Sequence, residues 1–240
     1  MKYVKSFAMI AALAVAVPSH VAAQGGSKPT VAVLPFYNSA IGKQQQEDLA
    51  PLSKGVQDML ISELATNDGI RVIERDQLQK ILEEQNLSKA NMTDPATAVR
   101  VGKLLGVHHM VSGTFVVDSK GKMRLIGKAF AVETGLLEFP SSTSKDNTVE
   151  GKVDDFMDLI SKLGGKLNAG MKLPNIETRV GEARKEAAKK VPYEAIALYS
   201  KGLAAADAGN KAEAVTLFRK SLDKFPSFDK AQAELKKLEQ

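Results

Sequence analysis

The chain has 240 residues, of which 44% are apolar and 25% charged, enough for one sizeable core or a core with a small appendage. These proportions argue against collagen, wholesale disorder and a multi-span membrane protein. Aromatic residues make up only 5%, and Trp is absent, which argues against stacking platforms for single-stranded nucleic acid. Cysteine is also absent, which excludes disulfides, thiolate nucleophiles and cysteine-ligated zinc or iron–sulfur clusters.

The first 23 residues have the pattern of a secretory signal peptide. A basic start precedes an uncharged apolar run over 7–17 that is too short to span a bilayer comfortably, and small residues precede Gln24 as a cleavage site. No later segment is long and apolar enough to cross a membrane as a helix. We therefore expect residues 1–23 to be removed and the mature chain to be exported. The net charge of +5 falls once the basic start is lost, so no nucleic acid or other dedicated polyanion partner is expected.

After a short polar leader at 24–30, the predicted elements alternate between strand and helix. The run Val31-Ala32-Val33-Leu34 predicts a strand buried on both faces, and apolar residues spaced by three and four predict a helix from Glu47 to about Ala65. Further strands are predicted at 70–74, 107–117, 123–132 and 136–143, and further helices beginning at Asp76, Asp94 and Val153. This order predicts an α/β layered domain with a mixed sheet over residues 31–173.

The C-terminal third changes character. Residues 174–191 predict a solvated helical linker, because they favour a helix but have almost no apolar face. A small all-α module is predicted at 192–240. Five residues there occupy the positions at which a tetratricopeptide repeat (TPR) has small, small, aromatic, small and proline residues: Gly202, Ala214, Phe218, Ser221 and Pro226.

The spacing predicts one repeat over 195–228 and a capping helix over 229–240. Gly202 and Ala214 would allow two antiparallel helices to touch, while Phe218 fills the remaining gap. A single repeat cannot bury its own face well. We therefore expect it to pack on its cap, on the α/β domain or on another chain.

Few residues are candidates for chemistry. His108 and His109 are adjacent on a predicted strand and point to opposite faces, so they cannot chelate one metal together. The acidic pairs Glu83-Glu84 and Asp154-Asp155 are explained by solvated helix surfaces and a helix start. Glycine-rich phosphate loops, nucleophile elbows and zinc-binding helix motifs are all missing from the sequence. We expect no catalytic residue, no metal site and no cofactor.

Several segments in the first two thirds of the chain resemble the CsgG family in the same order, from Thr30 to Met171. They are Val31–Phe36, Leu52–Leu60, Val72–Leu78, Asp94–Ala98, Gly102–Val107, Val111–Thr114 and the turn Glu133-Thr134-Gly135. The family includes the curli secretion channel of the bacterial outer membrane, and similar domains occur in lipoprotein activators of peptidoglycan synthases. The resemblance implies an envelope protein that binds and assembles, with no enzymatic activity.

Two departures from the channel members shift this expectation to a periplasmic relative. The channel members carry an N-terminal lipidated cysteine, which this sequence lacks. They also insert two long amphipathic hairpins in the membrane, whereas 118–122 and 141–150 are too short for strands of about 9–11 residues each.

The leading hypothesis is therefore a periplasmic adaptor or assembly factor for a secretion, outer-membrane or cell-wall complex. Its CsgG-like domain would contact that complex, and its TPR module would hold a second protein through its first helix, with Tyr193, Leu198 and Lys201 as contact residues. A homo-oligomer is a related possibility. The alternative is a carboxylate-dependent periplasmic hydrolase or ligand-binding enzyme, which would require two acids converging in a pocket with perturbed protonation.

Overall fold

The computed structural model describes residues 27–86, 94–140, 147–176 and 178–240. The predicted signal peptide and residues 24–26 of the predicted leader lie outside these residues. Among the described residues, no helix combines the length and the apolar character needed to span a bilayer.

The described strands form one mixed sheet. They are β1 (Thr30–Val33), β2 (Tyr37–Asn38), β3 (Arg71–Val72), β4 (His109–Val117), β5 (Lys122–Ala131), β6 (Leu137–Phe139) and β7 (Thr148–Lys152). Their order is β3-β1-β4-β5-β6, with β2 beside β4 and β7 beside β5. Strand β1 is parallel to β3 and β4, whereas β5 is antiparallel to β4, β6 and β7.

The described helices cover both faces of this sheet and the whole C-terminal region. They are α1 (Lys43–Leu49), α2 (Leu52–Leu64), α3 (Arg75–Glu84), α4 (Pro95–Leu105), α5 (Phe156–Gly170), α6 (Arg179–Lys189), α7 (Tyr193–Asp207), α8 (Lys211–Lys224) and α9 (Asp229–Glu239). The predicted α/β class with an added helical module is confirmed.

The alternating side-chain directions along β1 and the residue after it explain why helices cover both faces of the sheet. Val31 and Val33 point to the face covered by α2 and α5, while Ala32 and Leu34 point to the face covered by α3 and α4. All four are fully buried, as expected for a strand with helices on both sides. The apolar core on the α2 side continues through α2 into α7, α8 and α9, so the C-terminal helices share that core.

The predicted boundaries differ from the structure in two places. Residues 36–46, expected to be a loop between the first predicted strand and the helix predicted from Glu47, contain β2 and the start of α1. Strand β2 pairs with β4 through two residues, and α1 is separated from α2 at Pro51. Residues 148–150, at the end of the predicted polar stretch 141–150, belong to β7, which pairs with the first half of β5. Strands β2 and β7 are each held by pairing with a long neighbouring strand, and neither has a strong apolar period of its own.

Helix α6 is less solvated than its sequence predicts. Gly181 is buried, and a Cβ there would lie 2.6 Å from the carbonyl oxygen of Thr66 at the end of α2. Lys185 forms an ion pair with Glu63 at 3.4 Å. The segment is therefore attached along the α2 side of the domain by backbone proximity and charge, with little apolar burial.

Gly113 in β4 tests the packing of the sheet. A Cβ there would overlap the Phe36 ring and the carbonyl oxygen of Ile126, so Gly113→Ala should lower the free energy of unfolding by about 1–3 kcal/mol. Gly165 in α5 is exposed with no atom within 4 Å of the added Cβ. Gly165→Ala should therefore raise that free energy by up to about 1 kcal/mol. Urea unfolding of both variants checks the pair, and equal effects would contradict this packing.

Candidate functional site

The C-terminal module meets the α/β domain through a close contact between α2 and α7. Gly55 on α2 faces Ser200 on α7, where a Cβ added to the glycine would overlap Ser200 Oγ and lie 3.1 Å from its Cβ. Both residues are buried. The absence of a side chain at Gly55 therefore allows the two helices to approach this closely.

Tyr199 fixes the same contact with a buried polar pair. Its hydroxyl donates to the Asp58 carboxylate at 3.0 Å, and its ring packs against Phe218 and Phe228 with centroid distances of 5.6 and 5.0 Å. Burial and the charge of Asp58 raise the pKa of Tyr199 well above its ordinary value. The hydroxyl therefore stays protonated and acts as a hydrogen-bond donor.

Ion pairs surround this contact. The buried Arg75 guanidinium donates to both carboxylate oxygens of Asp207 at 2.8 and 2.9 Å, and Lys54 lies 2.8 Å from the same carboxylate. Burial lowers the pKa of Arg75, but the charge and hydrogen bond of Asp207 outweigh burial and raise it. Lys230 pairs with Asp58 at 2.9 Å, which ties α9 to α2.

A cavity of about 190 Å³ lies beside these pairs, near the end of β3 and the start of α3. Its lining includes Asp58, Arg75, Asp76, Tyr199, Lys230 and Lys237. Four acids, Asp58, Glu74, Asp76 and Glu234, thus line one cavity, and converging acids are the feature that the hydrolase hypothesis requires.

The charge state of Asp76 opposes that hypothesis. Burial raises the pKa of Asp76, but the hydrogen bond from Lys237 at 3.0 Å and the charge of Arg75 outweigh burial and lower it. A paired-carboxylate hydrolase needs a carboxyl group whose pKa is raised, so that it can act as a general acid. Asp58, Asp76 and Glu234 each pair with a lysine of α9, and the pairs of Asp58 and Asp76 join the two parts of the chain.

The other candidate residues for chemistry lie apart from this cavity. His108 contacts Thr30, with 2.8 Å between a ring nitrogen and the hydroxyl, while His109 lies 2.7 Å from Glu138. Within residues 27–86, 94–140, 147–176 and 178–240, no group of three or more His, Cys, Asp or Glu is placed to hold a metal. Glu83-Glu84 is exposed at the end of α3, and Asp154-Asp155 is in the short 3-10 turn directly before α5.

Four of the five residues used to predict the repeat are buried at the contact between α7 and α8. The Phe218 ring lies against Gly202, and Ser221 donates to the Ala195 carbonyl oxygen at 2.7 Å. Ala214 is fully buried, whereas Pro226 is exposed after the end of α8. The helix hairpin thus has close packing at Gly202, but its assignment as a TPR stays a prediction.

The three predicted contact residues have different surroundings. Tyr193 is half-buried, and its ring lies 6.1 Å from that of Phe156 on α5. Leu198 is also half-buried. Lys201 is exposed and lines a groove of about 550 Å³ between the α1–α2 junction and the α7–α8 hairpin.

This groove, called here the α1–α8 groove, was not predicted as a unit. It includes the acids Glu47, Asp48 and Glu213, which are exposed and come from segments far apart in sequence. Nothing in the local sequence distinguishes them from other solvated acids. The signal that could have indicated the groove is the contact of α7 with α2, which brings the two segments together.

The comparison with protein families matches the N-terminal part of the chain. Residues 14–122 match the family model described as "Curli production assembly/transport component CsgG". The match confirms the resemblance over its shared part, ends before the Glu133-Thr134-Gly135 turn, and covers a little under half of the 240 residues. The TPR region lies outside it.

Similar solved structures are distant. The LpoB C-terminal domain from Salmonella enterica is 13% identical with a TM-score of 0.33, and the alignment covers 53% of this chain and 84% of that chain. The LpoB C-terminal domain from Escherichia coli is 15% identical with a TM-score of 0.33, covering 55% and 87%. A lipoprotein from Neisseria meningitidis is 9% identical with a TM-score of 0.35, covering 51% and 79%.

All three TM-scores are below 0.5. A search of curated proteins finds no match to this chain.

The ion pair of Asp76 with Lys237 predicts a specific pH dependence. Because the pKa of Asp76 is lowered in the folded chain, the pair stabilises the fold above the ordinary value of 3.8 and is lost as the pH falls through the lowered pKa. Carboxyl NMR titration should give a midpoint for Asp76 below 3.8. Lys237→Gln should raise that midpoint, whereas Lys236→Gln, an exposed neighbour, should not. A midpoint at or above the ordinary value would contradict the pairing.

Proposed function

We propose that the chain is a CsgG-family protein that acts without catalysis as an assembly or adaptor factor for a secretion, outer-membrane or cell-wall complex. The observation that carries this proposal is the family match over residues 14–122, whose description names assembly and transport. The match includes β1, α2, β3, α4 and β4, which supply the centre of the sheet and part of the helical layer on each face.

The proposed location is the periplasm. The basic start and apolar run of residues 1–23 support export, and the lack of cysteine supports a protein that is not lipidated through that residue. The channel members have a long membrane-inserting hairpin at the position of the β4–β5 connection. In this chain, residues 118–121 alone join β4 to β5. This short connection supports a role other than that of a pore.

The proposed role of the C-terminal module is to bind a protein of the envelope or outer membrane. Since α7 is packed between α2 and α8, its buried face is not available to a partner. Of the predicted contact residues, the exposed Lys201 has the best access, while Tyr193 and Leu198 are partly covered. We therefore propose that a partner contacts the side of the hairpin that carries Lys201.

The hydrolase alternative has less support. Four acids line its cavity, of which Asp58, Asp76 and Glu234 each pair with Lys230 or Lys237. Charge compensation of this kind is typical of a structural ion-pair network, whereas an acid–base pair needs two different protonation states.

Chemical crosslinking of the whole chain in its own envelope tests the adaptor role. A tagged full-length protein should repeatedly enrich one envelope protein over a tag-only control, with a defined stoichiometry after purification. Deleting residues 192–240 is unsuitable, because it would uncover the buried face of α2. Recovery of an isolated monomer, established by light scattering, with no enriched protein would contradict the proposal, and a crosslink between copies would indicate a homo-oligomer instead.

A further inference from the structure

We propose that the α1–α8 groove binds a short basic peptide segment of a partner protein. This inference rests on the proposed adaptor role and adds the chemistry of the segment that the module recognises. The groove has a volume of about 550 Å³, which is large enough for a few side chains and too small for a folded surface.

The floor of the groove is formed by small apolar residues. Ala204 lies on α7 and Ala208 follows the end of that helix one turn later, while Pro51 and Leu217 contribute apolar surface from the two sides. Alanine methyl groups leave room above the helix and lose no side-chain entropy when covered. Such a floor suits the apolar part of a peptide and the aliphatic stems of long basic side chains.

The rim of the groove has an excess of negative charge. Glu47, Asp48 and Glu213 contribute three carboxylates, against the single ammonium group of Lys201. Asp48 accepts a hydrogen bond from Gln44, whereas the carboxylates of Glu47 and Glu213 have no ion-pair partner in the described parts of the chain. A concave surface with an excess of one sign of charge attracts ligands of the opposite sign.

The contrast with the ion-paired cavity strengthens this assignment. In or beside that cavity, three carboxylates each lie within 3.0 Å of a lysine or arginine nitrogen: Asp58, Asp76 and Asp207. Their charges are therefore compensated by ion pairs within the chain. The acids of the α1–α8 groove remain available. A basic segment would neutralise them, while an acidic peptide, a phosphate or an anionic membrane surface would be repelled.

Fluorescence anisotropy with three labelled peptides tests the proposal. The probes are AKALKAKA, its Gln counterpart AQALQAQA and its Glu counterpart AEALEAEA, each titrated with the full chain at low salt. The basic probe should bind about tenfold more tightly than the neutral one, and the acidic probe should not bind. Raising the salt concentration should weaken the basic probe, because exposed charges are screened.

Matched charge reversals locate the binding. Glu47→Lys with Glu213→Lys should weaken the basic probe by about tenfold, since two attractions become repulsions. Glu133→Lys with Asp223→Lys changes the net charge equally at exposed positions outside the groove and should change affinity by less than about twofold. Lys201→Glu should tighten binding by about threefold, a gain that misfolding cannot produce.

Each outcome decides the proposal. Equal binding of the basic and acidic probes, or equal losses in the two double variants, would overturn it. So would self-association of the wild type that the Glu47→Lys/Glu213→Lys variant abolishes, because the groove would then be covered by a second copy. If this variant loses the basic probe but keeps the envelope protein captured by crosslinking, the adaptor role survives and the groove is not its docking site. If no envelope protein is captured while the basic probe still binds as expected, the adaptor role fails independently.

Discussion

The close approach of α7 to α2 at Gly55 is the contact on which the arrangement of this protein depends. At this contact Ser200 occupies the space that a side chain at position 55 would need. The contact also brings Tyr199 to Asp58 and places the hairpin of α7 and α8 against the α/β domain. A helical hairpin of this size buries too little apolar surface to be stable alone. Its core is completed by α2 on one side and α9 on the other, so the C-terminal helices are a fixed part of the structure.

This packing separates the charges of the molecule into two groups with different consequences. Around the cavity beside Arg75, each of the acids Asp58, Asp76 and Asp207 is paired across the boundary between domain and module. The pairs of Asp58 and Asp207 are partly buried, so they contribute little net stability but penalise other arrangements, since separating them would leave buried charges unpaired. The Asp76–Lys237 pair is exposed and contributes less. In the α1–α8 groove the acids face solvent without such partners, which is the condition for recognising another molecule.

The sequence predicts the centre of the sheet well and the periphery poorly. The runs that form β1, β4 and β5 are apolar or alternate over enough residues for their period to be recognised, and α4 is predicted from its cap, Asp94, which does accept a hydrogen bond from the Thr97 amide at 2.9 Å. Strand β2 pairs through two residues, and β7 has the sequence Thr-Val-Glu-Gly-Lys, so neither has a detectable pattern. Their positions follow from tertiary pairing.

The same limit applies to the candidate site. Lys201 was predicted as a contact residue from the expected repeat geometry, and it does line a groove, but Tyr193 is packed beside Phe156. Glu47 and Glu213 become neighbours of that groove only through the docking of α7 on α2. A glycine inside an otherwise regular amphipathic helix, here Gly55, is the one local signal of a close contact, although it does not name the partner.

The free energy of unfolding of Gly55→Ala tests the central contact most directly. If α7 packs on α2 as described, the new methyl group meets Ser200 and the variant is less stable by about 1–3 kcal/mol. Adding Ser200→Ala should recover part of the loss, because it removes the nearest atom. If the module were not docked, Gly55 would lie on a free helix surface, and the same substitution would stabilise the chain by up to about 1 kcal/mol. A stabilising Gly55→Ala would therefore contradict the docked arrangement.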